Sequence, residues 1–188
     1  INKDGVYNDA DQGIIGCGQP TFNWGWNNTF NYKNFDFSFF VVGFHGFDIY
    51  NATHQMGYNL IKSQQVAGVT PMRELLNRWT PTNTNTNIPG FVNGGTENKD
   101  FFSTRFVENG SFIKMKSITL GYTLPETACR ALGITNLRVY ASVQNPFHIT
   151  NYSGLDPEAT MGSPLVQGVD WGSYPNSRNY LIGLNFSF

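Results

Sequence analysis

Arg178-Asn-Tyr-Leu-Ile-Gly-Leu-Asn-Phe-Ser-Phe188 carries the pattern that decides the fold. Tyr180, Ile182, Leu184, Phe186 and Phe188 alternate with Asn179, Leu181, Gly183, Asn185 and Ser187, so one side is apolar and the other nearly all polar or small. A period of two with that contrast is a β-strand lying between two different environments. Two architectures supply them. In a soluble sandwich the apolar side meets a second sheet; in an outer-membrane barrel it meets lipid while the polar side lines the lumen.

The pattern recurs upstream. In 21–32, Phe22, Trp24, Trp26, Phe30 and Tyr32 share a side with Asn28, while Asn23, Asn27 and Asn31 lie on the other. In 35–44, Phe35, Phe37, Phe39 and Val41 oppose Asp36, Ser38, Phe40 and Val42. In 112–124, Ile118, Leu120, Tyr122 and Leu124 oppose Ser117, Thr119, Gly121 and Thr123. In 137–149, Leu137, Val139, Ala141, Val143, Phe147 and Ile149 oppose Arg138, Tyr140, Ser142, Gln144 and His148. With 178–188 this predicts five strands of about 10 to 13 residues, near the 9–11 that cross a bilayer at a tilt and longer than ordinary soluble strands.

The connections alternate in length. Lys33-Asn34 is a two-residue turn, 45–111 is long, 125–136 short and 150–177 long. Membrane barrels pair short periplasmic turns with long outer loops. That parity predicts outer loops at 45–111 and 150–177 and a periplasmic C-terminus. Five strands cannot close a barrel and lipid tolerates no open sheet edge, so further strands are expected upstream or from another chain.

Composition agrees. The 188 residues suffice for one domain with a sizeable core. Aromatic residues make up 15% and charged ones only 13%, about half the roughly 25% of an average soluble domain. No run is long and apolar enough for a transmembrane helix, and a net charge of −1 without a basic stripe argues against nucleic acid. The opening Ile1-Asn-Lys-Asp-Gly5, with neither Met nor signal peptide, suggests a mature protein or a fragment. Cys17 and Cys129 are too few for a disulfide framework and are expected on opposite sides of the membrane, hence as free thiols. The Asn-x-Ser/Thr triplets at Asn27, Asn51, Asn109, Asn151 and Asn185 read as products of an Asn-rich sequence.

Several motifs appear in order: Ile14-Ile-Gly16 with Pro20, Phe30-Asn-Tyr-Lys-Asn-Phe35, Gly46-Phe-Asp-Ile-Tyr-Asn51, and Arg78-Trp-Thr-Pro81 with Ile88-Pro89. The densest is Val107-Glu-Asn-Gly-Ser-Phe-Ile-Lys-Met-Lys-Ser-Ile-Thr-Leu-Gly-Tyr-Thr-Leu-Pro125, followed by Leu137-Arg-Val-Tyr140, Gln144-Asn145, Asp156-Pro-Glu158 and the terminal strand. Together they resemble SusC/RagA-type TonB-dependent outer-membrane transporters over essentially the whole chain. The resemblance implies an all-β fold, the last five strands of a 22-stranded antiparallel transmembrane β-barrel whose lumen is plugged. It implies import of oligosaccharides or peptides across the Gram-negative outer membrane. The implied partners are a SusD-like surface lipoprotein as lid, TonB as energy source, outer-membrane lipids, and the remaining N-terminal barrel and plug of the same transporter. Pro146 departs from the family, which more often has Leu there. Losing one ladder hydrogen bond predicts a bulge or strand end. The competing reading is a secreted aromatic-rich β-sandwich that binds glycans.

An enzyme finds no footing in these residues. His45, His54 and His148 have no zinc spacing, and no phosphate loop or nucleophile elbow occurs. Asn2, Asp4, the Val6 carbonyl, Asn8 and Asp11 fit positions 3, 5, 7, 9 and 12 of a calcium loop with Gly5 at the turn, if the first acidic ligand lies just upstream. Asp replaces the usual final Glu, and a plain Asx-rich turn is the alternative. Lys114 and Lys116 fall on the lipid-facing parity at the outer end of their strand, where they would rise above the apolar band to lipid phosphates or water. Candidate contacts for cargo or plug are the lumen-side Asn23, Asn27, Asn31, Arg138, Tyr140, Gln144 and His148, with Trp79 and Trp171 in the outer loops. The Thr80–Asn87 stretch is expected to be extended, and Met72–Trp79 to form two helical turns.

Overall fold

A computed structural model describes residues 12–58, 71–88, 90, 103–131, 133–161 and 166–188. Its strands are β1 (Phe22–Tyr32), β2 (Phe35–His45), β3 (Asp48–Asn51), β4 (Val107–Asn109), β5 (Phe112–Thr123), β6 (Asn136–Thr150), β7 (Val169–Asp170) and β8 (Asn179–Ser187). Among the described residues two short α-helices accompany them, α1 (Ala52–Tyr58) and α2 (Glu126–Ala131). The five long strands form an antiparallel meander in the order β1-β2-β5-β6-β8. The three short ones form a separate sheet, β4-β3-β7, in which β7 runs parallel to β3.

The register turns the period of two into continuous faces. Phe30, Phe37, Leu120, Ala141 and Ile182 align across all five long strands, as do Asn31, Asp36, Gly121, Tyr140 and Gly183 one row away on the opposite face. The apolar face stays open: Trp26, Phe30, Leu120 and Ile182 are each more than half exposed. Among the described residues no second sheet covers it. Eleven residues at ~3.3 Å each and a tilt of ~40° give about 28 Å of height, close to the apolar band of a membrane barrel. Aromatic pairs hold the face together, with Trp26 edge-on to Phe39 at 5.2 Å and Phe35 against Tyr122 at 4.6 Å.

At one end the turns are short. Lys33 adopts a positive φ of 52° in the two-residue turn, as tight hairpins require. Asn34 then exchanges two hydrogen bonds with Thr123 of β5, at 2.8 and 2.7 Å. The other end carries the long connections, and these are more than loops. Phe47, Ile49, Phe112 and Tyr152 form one buried cluster, and Tyr50, Ala52 and Phe106 another, around the three-stranded sheet. Within 72–79 only Arg73–Asn77 is helical, as a 3-10 turn. Thr80 and Asn83 bond each other's backbone at 3.1 and 2.9 Å, so that stretch begins with a reversal instead of running extended.

Two irregularities in the wall matter for the site. Between Met115 and Ser117 the pairing of β5 slips by one residue, leaving Lys116 as a bulge against β2. On β6 the slip falls at Asn145 and Pro146, and Asn145 sits at a positive φ of 49°. Pro146 thus stands at a bulge, where its missing N–H costs no ladder bond. The bulge corrects the parity expected for Lys114. One extra residue turns the outer third of β5 over, so Lys114 pairs with Val42 on the polar face while Ile113 and Met115 take the apolar one.

Candidate functional site

The polar face of the long sheet and the layer above it form the candidate site. Near the short-turn end, Arg138 on β6 reaches across β5 to Asp36 on β2, with Nε donating to Oδ1 at 2.9 Å. The bridge passes over Gly121, where a Cβ would stand 2.4 Å from the Asp36 carboxylate and 2.5 Å from the guanidinium. Glycine is required by that close approach. The guanidinium also lies 5.0 Å from the centre of the Tyr140 ring, which in turn covers Gly183 on β8. Further along, Thr119 and Ser142 hydroxyls bond at 2.8 Å, and Asn179 donates to Gln144 at 3.2 Å.

Above these rows sits a charged clip. Lys114 is 2% exposed and its ammonium lies 2.8 Å from Asp156 and 2.7 Å from Glu158. Lys116, the bulge residue, donates to the second Glu158 oxygen. Two lysines two apart on β5 therefore face two carboxylates two apart in Asp156-Pro-Glu158. Asn176 completes the arrangement, its N–H donating to Asp156 at 3.1 Å and its amide to Glu158 at 2.8 Å. Burial alone would push both carboxyls up. The hydrogen bonds from Lys114 with the Asn176 and Glu158 N–H groups hold Asp156 below the usual carboxylate range, and those from Lys114 and Lys116 do the same for Glu158. A buried lysine so paired fastens the 150–177 connection onto the wall.

The layer at the long-loop end is a network of acceptors. Glu108 on β4 takes hydrogen bonds from Asn51 at 2.9 Å and from the Ser153 N–H and hydroxyl, both at 2.8 Å. His54 on α1 stands between Glu74 at 3.3 Å and Glu108 at 3.7 Å. Tyr58 donates to Glu74; burial first, then that carboxylate, pushes the phenol up to about 12. Tyr152 donates to Asp170 at 2.6 Å and is likewise shifted upward, mainly by burial.

The register brings Asn23, Asn27, Asn31, Arg138, Tyr140, Gln144 and His148 to one face. That face is less polar than the sequence suggested, because Phe40, Val42, Phe44 and Phe112 share it, and Phe44 stacks on Phe112 at 5.1 Å. Trp79 and Trp171 remain about half exposed and apart from these residues. The calcium-loop residues Asn2, Asp4, Val6, Asn8 and Asp11 lie outside the described residues; among those described, no group of three or more metal-ligating side chains gathers. Both cysteines are unbonded, Cys17 exposed and Cys129 buried. The partners of these side chains are harder to see in the sequence than their positions. Asp36 for Arg138, and Asp156-Pro-Glu158 for Lys114-Met-Lys116, share a spacing and opposite charges, but only the strand register puts them together.

A sheet with one open apolar face, a polar face crossed by ion pairs, and long connections folded over one end is an arc of a transmembrane β-barrel wall. The comparisons say which. The chain is 35% identical over its whole length to TonB-dependent receptor P3 of Formosa agariphila, spanning 18% of that protein. It is 30% identical, again over its whole length, to TonB-dependent receptor SusC of Bacteroides thetaiotaomicron, spanning 17% of it. Among solved structures, the RagAB peptide importer in its closed-closed state matches 91% of the chain with a TM-score of 0.74 and 27% identity, over 18% of the solved chain. No protein-family profile matches. The chain belongs to the SusC/RagA-type TonB-dependent outer-membrane transporters, as a C-terminal part of that architecture. It spans about a fifth of the length of these relatives.

Proposed function

We propose that this chain supplies the last five strands of a 22-stranded barrel that imports oligosaccharides or peptides across the outer membrane. The long-loop end faces outward beneath a SusD-like lipoprotein, and the C-terminus and short turns face the periplasm, where TonB acts through the upstream plug. One observation carries the reading: the apolar face lies open across all five strands, as a lipid-facing wall does, while β1 and β8 each keep one edge unpaired among the described residues for neighbouring strands to close.

The role follows from the arrangement. Arg138, Tyr140, Gln144, Asn23, Asn27 and Asn31 present donors and acceptors to the lumen, where they meet the plug or passing cargo. His148 stands higher, beside the clip. The relatives are TonB-dependent receptors and a peptide importer, and the polar face here offers binding groups. Glycan and peptide cargo both fit a face of amides, hydroxyls and one guanidinium–carboxylate pair.

The experiment uses the full-length transporter in its native membrane. An epitope inserted at Thr82–Asn85 is expected to be reachable by antibody on intact cells and one after Phe188 only after permeabilisation, with growth on the cargo lost when TonB is deleted. Release of the protein from membranes without detergent, or reversed epitope access, overturns the reading.

A further inference from the structure

The ladder between β6 and β8 stops early. β6 remains paired with β5 out to Thr150, but with β8 only as far as Gln144. The residues leading into β8 are drawn instead toward the clip: Asn176 bonds Asp156 and Glu158, and Asn145 donates to the Ser177 carbonyl at 3.1 Å. A cleft of about 370 Å³ is left in the wall, lined by Phe147, His148, Leu155, Arg178 and Tyr180 together with the clip residues Lys114 and Asp156.

Its chemistry is two-sided. Phe147 and Tyr180 belong to the open apolar face and are 49% and 71% exposed. Phe147 is the twelfth of the fifteen residues of β6, counted from the short-turn end, and Tyr180 is the second of β8, so the cleft lies toward the long-loop end of the apolar face, where headgroups meet acyl chains. Arg178 and His148 form no side-chain hydrogen bond or ion pair with the described residues. Asp156, the acid of the cleft, is already neutralised by Lys114. The cleft therefore offers unspent donors, a surplus positive charge and an apolar flank.

We propose that this cleft holds the phosphate of a membrane lipid headgroup, with Arg178 as the forked donor and acyl chains running down Phe147, Tyr180 and Ile182. A guanidinium matches two phosphate oxygens at once. The inference rests on the barrel reading above and adds a specific lipid contact to it.

The test reconstitutes the full-length transporter into phosphatidylcholine vesicles carrying a trace of spin-labelled phosphatidic acid or, in parallel, spin-labelled phosphatidylcholine. Wild type is expected to enrich phosphatidic acid, and Arg178→Gln to lower that enrichment about fivefold, the worth of roughly one cation near an anionic surface. Arg178→Lys keeps only part of it, because an ammonium cannot grip two oxygens in a fork, and excess inorganic phosphate does not displace the lipid. Equal enrichment by wild type and Arg178→Gln overturns the proposal, as does full displacement by inorganic phosphate, which assigns the cleft to a free anion. Heat-modifiable migration of the same samples reports the barrel separately: a folded barrel without phosphatidic acid preference sinks the cleft alone.

Discussion

The wall and the layer above it are ordered by opposite means. In the wall, Ile182 and Phe188 are 85% and 89% exposed, and order comes from long ladders whose apolar side needs an outside solvent. In the layer, Ile49 and Ala52 are wholly buried, and strands of two to four residues persist because side chains pack and bond around them. The difference teaches where a membrane protein keeps its charges. The wall admits a lysine only at a bulge that turns it inward, and the layer supplies the carboxylates that meet it.

The sharpest way to break this arrangement is at the clip. Lys114→Met leaves Asp156 buried without its ammonium, and severing such a pair costs about 3–5 kcal/mol. In the detergent-solubilised full-length transporter, protease is expected to cut within 150–177 much faster while the wall stays resistant. Adding Asp156→Leu should return part of the protection, because it removes the stranded charge at Asp156 while Glu158 keeps Lys116.

Acid probes the same joint without mutation. Asp156 and Glu158 both titrate lower in the folded clip than freely, so their contribution is complete above the ordinary carboxylate range of about 4 and is lost as pH falls through the lowered folded values. Proteolysis with an acid-active protease should show the layer loosening below about pH 4 before the wall yields. Simultaneous loss of both would mean that the two regions do not differ as argued.

Inside the wall the effects are smaller. A Cβ on Gly183 would stand 2.3 Å from the Tyr140 ring, so Gly183→Val is expected to cost about 1–3 kcal/mol through overpacking. Tyr140→Ala in the same chain should relieve it, read as the temperature at which heat-modifiable migration is lost. The smallest change is Asp36→Asn. With side chains about a quarter exposed, the ion pair contributes at most about 1 kcal/mol, and thermal stability should barely move while passage of charged cargo through the lumen shifts.

The two regions were unequally legible. The wall could be read because Tyr180 to Phe188 and its four counterparts are long enough for a period of two to stand out. Pro146 announced its own bulge through the N–H it lacks. The neighbouring bulge at Lys116 carried no such mark, and for that reason Lys114 was expected on the lipid side. The layer was illegible for a different cause: Val169–Asp170 is too short to show any period, and its parallel partner Tyr50–Asn51 lies far away in the chain.

Alternation of side chains along a strand is a local property, and the residues alone determined that this chain forms long two-faced strands and, up to the bulge in β5, which side of each is apolar. Register is not local. Only the folded sheet decided that Arg138 meets Asp36 across Gly121, that one extra residue at Lys116 reverses the outer end of β5, and that Asp156 and Glu158 close over Lys114, because a slip of a single residue exchanges the two faces and no single strand records where the slip occurs.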